Sequence, residues 1–142
     1  MAETPKSGAE SWAAGIGSKS KAQYGSDLMV EMLRELGIKY IALNPGASYR
    51  GFHDSLVNFE AGKDIQMIMC THEEIAVAIA NGYARATGEI MATGLHNVVG
   101  LQHASMAIFN AWCDRTPILN LGGGGQLRLN SRESDRIGIV WV

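Results

Sequence analysis

The sequence is short of the residues that would signal a disulfide scaffold, a metal cage or a basic binding surface. It has two cysteines, three prolines and 18% charged residues, with a formal net charge of −2. Cys70 and Cys113 lack metal-ligand spacing and sit in apolar segments, so they read as reduced core residues of a cytoplasmic protein. The absence of a basic run excludes nucleic acid and anionic membrane as partners. No apolar run approaches the roughly 18 residues of a membrane span. Residues 1–24 are rich in Gly, Ser, Ala and Lys but have no apolar core of a secretion signal, and are expected to be a flexible N-terminal segment. What is present is an apolar fraction of 46% in 142 residues, enough for one domain with a buried core.

Apolar periodicity predicts strands alternating with helices. Ser26 is placed to cap a helix over 27–36, with Met29, Met32, Leu33 and Leu36 on one face and Gly37 as its stop. A strand over 39–43 leads into the turn Asn44-Pro45-Gly46-Ala47-Ser48. A helix over 49–59 and a strand over 64–70 follow. The next helix runs from Glu73 to Thr87 and stops at Gly88, with Ala76, Ile79, Ala80 and Tyr83 inward. A strand over 90–95, a turn at His96-Asn97, a helix over 98–113 and a strand over 116–121 complete the pattern. That helix is expected to bury Leu101, Ala104, Ser105, Ile108 and Trp112. Met67 and Met69 read as core filler.

This alternation argues for an α/β fold, a doubly wound parallel sheet with helices on both faces. Ligands of such sheets collect beyond the carboxyl ends of strands. Three polar or glycine-rich segments fall there: 44–48, 71–74 and 96–97. Residues 25–125 form the expected domain. Residues 126–142 are an atypical tail, polar and then apolar, expected to reflect a C-terminal truncation or a departure from an ancestral reading frame.

The chemistry concentrates in Thr71-His72-Glu73-Glu74. Two carboxylates open a helix directly after a strand. The helix dipole favours them ionised, whereas burial would push the other way. Such a group can pass a proton to a ligand nitrogen, or it can be one of the capping carboxylates common in first turns. His96 falls in the strand-to-helix turn at one of these strand ends, where a histidine can simply bond a loop carbonyl. His72 is assigned to the turn, His53 to the exposed surface, and His103 to packing or surface. The Gly122–Gly125 run lacks the Lys-Ser/Thr of a phosphate loop.

Taken together, Asn44-Pro45-Gly46, His72-Glu73, Gly82-Tyr83-Ala84-Arg85-Ala86-Thr87-Gly88 and Leu95-His96-Asn97 resemble the pyrimidine-binding domain of thiamine-diphosphate-dependent enzymes of the acetolactate synthase and benzoylformate decarboxylase type. The resemblance covers Ser26 to Gly123. It implies thiamine diphosphate as cofactor, bound by Glu73, Asn44, Pro45, Gly46 and Asn97, with Glu73 and His96 catalytic and Glu74 the alternative glutamate. In the family, such a glutamate shares a proton with N1′ of the aminopyrimidine. This favours the imino tautomer that activates the thiazolium carbon for attack on a 2-oxo acid. Ala47 stands where the benzoylformate enzymes place a substrate-contacting serine; Ser48 comes one residue late. Asp114-Arg115-Thr116-Pro117 resembles an architectural turn of the family.

The resemblance also implies partners. Mg²⁺ and the diphosphate would be held by a separate domain with a Gly-Asp-Gly motif, which this sequence does not contain. That domain would come from another subunit of a homo-oligomer. The chain by itself is therefore expected to bind the cofactor weakly or not at all, and not to turn over substrate. Three roles follow from these readings: the pyrimidine half of an enzyme, an interaction module, or an inactive fragment.

Overall fold

A computed structural model describes residues 20–59, 65–123 and 137–141. The described elements are α1 (Gly25–Glu35), β1 (Tyr40–Leu43), a 3₁₀ turn (Ala47–Tyr49), α2 (Arg50–Asn58), β2 (Gln66–Met69), α3 (Glu73–Thr87), β3 (Met91–Leu95), α4 (Asn97–His103), α5 (Ser105–Asp114), β4 (Ile118–Gly123) and β5 (Ile137–Trp141). None of the described helices is long and apolar enough to cross a membrane.

The sheet order is β2-β1-β3-β4-β5. The first four strands are parallel, and β5 pairs antiparallel with β4, Gly123 opposite Ile137 and Leu119 opposite Trp141. The doubly wound expectation holds. From β1 the chain winds outward to β2, and from β3 it winds the other way to β4. The switch point lies between the adjacent strands β1 and β3, where ligands of open α/β sheets bind.

Side chains alternate across the strands and build two cores. Ile41 and Leu43 pack with Val30, Leu33, Phe52 and Leu56 of α1 and α2. Ala42 faces the other way, into a layer of Ala76, Val77, Ala80, Ala104, Ala107 and Ala111 from α3 and α5. These small side chains let the helices lie close to the sheet. Strand β3 is buried along its whole length because helices cover both its faces.

Several predicted details are corrected. At the start of α1 it is Asp27, not Ser26, that caps the chain: Asp27 Oδ2 accepts the N–H groups of Gln23 and Tyr24, each at 3.1 Å. The Ser55 hydroxyl of α2 donates to Asp27 Oδ1 at 2.6 Å, which explains how this carboxylate can be buried. Val30 and Leu33 form the inward face of α1, while Met32 and Leu36 are exposed. Gly37 does end the helix, with φ +72°.

Helix α3 has the predicted limits and closes on Gly88 at φ +75°. Val77 and Ala84 are buried in place of Ile79, which is exposed. The single helix predicted over 98–113 is two helices, broken at Ala104, whose ψ of −5° departs from the helical value. The buried stripe Gly100, Ala104, Ala107 and Ala111 runs through the break at helical spacing, one residue before the predicted stripe. Ala104, Ala107 and Ala111 therefore face inward, and Leu101, Ser105 and Trp112 face out, Trp112 at 67% exposure. Cys113 is exposed with them, whereas Cys70 is buried as expected. Met69 is exposed because β2 is an edge strand.

Candidate functional site

Glu73 opens α3 at the carboxyl end of the sheet. The helix starts here because His72 caps it: His72 Nδ1 accepts the N–H of Glu74 at 3.2 Å. The turn role assigned to His72 is borne out. Glu73 is only 3% exposed. It fits because Gly100 on α4 has no side chain: a Cβ there would stand 2.8 Å from Glu73 Oε1. Burial pushes the Glu73 carboxyl upward, but its own backbone amide, the Asn44 side chain and His103 outweigh it and hold the group below the ordinary carboxylate value. The carboxylate is thus ionised although buried. Glu74, the alternative glutamate, is exposed, and its backbone N–H bonds to His72 Nδ1.

The second cluster gathers around His96. Its Nδ1 lies 2.7 Å from Ser48 Oγ, which leaves Nε2 as the free ring nitrogen. The ring packs flat against Gly46, where any Cβ would collide with it. The Asn44–Ser48 turn therefore serves both clusters, with Asn44 on Glu73, and Gly46 and Ser48 on His96. Pro45 is exposed within the turn. Asn97 adopts φ +55°, and its Oδ1 accepts the following Val98 N–H at 2.7 Å, so its side chain shapes the turn.

Tyr49 ties the frame together. Its hydroxyl meets the carbonyl oxygens of Leu95 and of Leu121, the latter at 2.7 Å, and accepts the Gly123 N–H at 3.1 Å. Burial pushes this phenol far up, so it remains a neutral pin across the ends of β3 and β4. Gly123 is bare because a Cβ there would sit 2.8 Å from Ser48 Cβ. Beneath the site, Thr93 donates to Asn120 Oδ1 at 2.6 Å inside the sheet. Sequence reasoning missed Tyr49, Gly100 and the reach of His103. A tyrosine directly after a glycine turn, and a glycine four residues after His96, were the available signals.

His103 is half-exposed, as a surface histidine would be, yet its Nδ1 lies 3.6 Å from Glu73 Oε2. Its ring stacks on His72, with centroids 4.8 Å apart and planes at 16°. His72, Glu73 and His103 place their donor atoms within 4.8 Å of one another. Near-parallel rings keep their lone pairs in parallel planes, so these donors do not converge on one ion. A separate cleft of about 560 Å³, lined by Lys21, Tyr24, Asp54, Asn58 and Phe59 among others, contains none of the predicted site residues.

The buried Glu73 carboxylate and the Ser48–His96 pair lie together at the carboxyl end of the parallel strands of an α/β domain. The chain matches the family described as thiamine pyrophosphate enzyme, N-terminal TPP binding domain, over residues 23–137. It belongs to that family. It is 32% identical to the acetolactate synthase large subunit of Lactococcus lactis over 124 residues, 84% of this chain and 21% of that protein. It is 30% identical to acetolactate synthase isozyme 3 large subunit of Escherichia coli over 99 residues, 70% of this chain and 17% of that protein.

Among solved structures, the thiamine diphosphate-dependent 4-hydroxybenzoylformate decarboxylase of Rhodococcus jostii RHA1 superposes with a TM-score of 0.64 at 27% identity, over 72% of this chain and 18% of that one. Benzoylformate decarboxylase from Polynucleobacter necessarius shares the fold, with a TM-score of 0.62 at 24% identity over 75% of this chain and 20% of that one. The chain spans about a fifth of the length of these relatives.

Proposed function

We propose that this domain supplies the pyrimidine half of a thiamine-diphosphate site in a 2-oxo-acid decarboxylase or carboligase, with Glu73 as the proton-bearing residue. The observation that carries this reading is the Glu73 carboxyl group, buried beside Gly100 and Asn44 at the mouth of the switch point. When bound, thiamine diphosphate supplies the carbon nucleophile and the electron sink. Glu73 holds or moves a proton at a carboxylate oxygen facing a ring nitrogen. Asn44 and the bare Gly46 line the same mouth. His96 Nε2, the free nitrogen once Ser48 has taken Nδ1, orients a substrate carboxylate or moves a proton there. Ser48 thereby fills the substrate-side role for which Ala47 has no hydroxyl.

Mg²⁺ and the diphosphate are assigned to a second domain, carried by another subunit of a homo-oligomer in the cytoplasm. The apolar surface of α4 and α5 supports such docking: Val98, Val99, Met106, Phe109 and Trp112 are all exposed there. An exposed stretch of this kind is unusual unless something covers it.

The test is an NMR titration of the chain with thiamine at millimolar concentration. The expected result is weak binding that perturbs Glu73, Asn44 and Gly100 and is lost in Glu73→Gln. Perturbation of the Tyr24–Asp54 cleft instead, an unchanged response in Glu73→Gln, or no response at saturation would each overturn the reading.

A further inference from the structure

Gly100 and His103 are three residues apart on α4 and so lie on one face of that helix. Gly100 clears room for the Glu73 carboxylate, and His103 brings an imidazole to its other oxygen. The His103 ring is restrained on its outer side by the stacked ring of His72, the residue that caps α3. The side chain that meets the buried carboxylate is therefore itself half in solvent. It can exchange protons with water while touching a group that cannot.

We propose that His103 is the positioning residue of Glu73: stacked on His72 and set against Oε2, it acts on the buried carboxylate through charge rather than through packing. The proposal rests on the reading of Glu73 given above. The groups that face this carboxylate are Tyr49 from the 3₁₀ turn, Asn44 from the end of β1, His72 from the loop before α3 and His103 from α4. Glu74 lies next to it in the chain and is exposed. Tyr49 stays neutral and Asn44 does not titrate. An opposite charge within about 4–6 Å favours the ionised carboxylate.

The experiment is a ¹³C-carboxyl NMR titration of Glu73 with pH in the whole chain, without cofactor, for the wild type, His103→Gln and His103→Lys. The Gln variant is expected to raise the proton affinity of Glu73 roughly tenfold, and the Lys variant to restore it by replacing the charge. An unchanged Glu73 in His103→Gln overturns the proposal. So does a Lys variant that stays folded without restoring it, since packing rather than charge would then be at work. Thiamine is added last. If His103 tunes Glu73 but thiamine leaves Glu73 untouched, the coupling stands and the assignment of the cofactor site falls.

Discussion

Helix α3 carries a glutamate at each end, and the two are held in opposite ways. Glu89, just past the Gly88 cap, accepts hydrogen bonds from Lys39 at 2.6 Å and Tyr83 at 2.5 Å, out in solvent. Lys39 and then Tyr83 hold its carboxyl low. Glu73, at the other end, is buried and has a looser contact of 3.6 Å with His103. The shorter bonds belong to the exposed group, where water and salt weaken them. The buried group meets its partners away from solvent, where an incoming ring nitrogen would meet little competition from water. The exposed pair thus braces one end of the helix, and the carboxylate at the other end is shielded from solvent among Asn44, His103 and its own backbone amide.

The largest expected effect separates the two carboxylates directly. In the whole enzyme, Glu73→Gln should slow release of carbon dioxide from a 2-oxo acid by about 10²–10⁴-fold, the usual worth of a positioned acid–base group. Glu89→Gln should leave the rate unchanged. Equal losses in a rate assay would erase the contrast.

The tyrosines extend it. Tyr49→Phe strands three backbone groups at the strand ends and should cost about 1–3 kcal/mol in denaturant unfolding. Tyr83→Phe, at the exposed end, should leave the midpoint where it is.

A pair of glycines should give opposite signs. Gly82 on α3 has open space around it, so Gly82→Ala should stabilise by about 0.5–1 kcal/mol through helix propensity. Gly100→Ala would place its Cβ against Glu73, and should lose about 1 kcal/mol net as overpacking offsets propensity. Thermal melts of the two variants check this.

The smallest effect is on acid stability. Glu73 titrates below its ordinary 4.5 in the fold, so its contribution is fully present above 4.5 and is lost as pH falls through the lower folded value. Glu89 acts in the same direction. Acid unfolding in low and high salt should distinguish them: salt removes the Glu89 part and spares the Glu73 part. If salt removed both, the buried character of Glu73 would be refuted.

Much of this was legible in the sequence, for identifiable reasons. The limits of α3 could be read because a histidine cap, two first-turn acids and a terminal glycine agree at every level. The three segments at the strand ends could be placed because strand and helix periods alternate without ambiguity. The break at Ala104 was hidden because alanine favours helix on either side, and the buried stripe was placed one residue late because Leu101, Ile108 and Trp112 are more apolar than the alanines that pack inward. The role of His103 depends on how close α4 approaches α3, a matter of packing that no local pattern encodes. Ser48 looked displaced by one residue from a family position. The 3₁₀ turn at Ala47–Tyr49 delivers its hydroxyl to His96 all the same.

Tyr49 has one more use, as a built-in optical probe. Of the four tyrosines in the chain, it is the one buried between two strand ends. Its phenol cannot ionise without tearing away from those carbonyls. In an alkaline absorbance titration its chromophore should stay silent while exposed phenols respond, and then appear abruptly. That step would time the opening of the carboxyl-end frame without any label being attached.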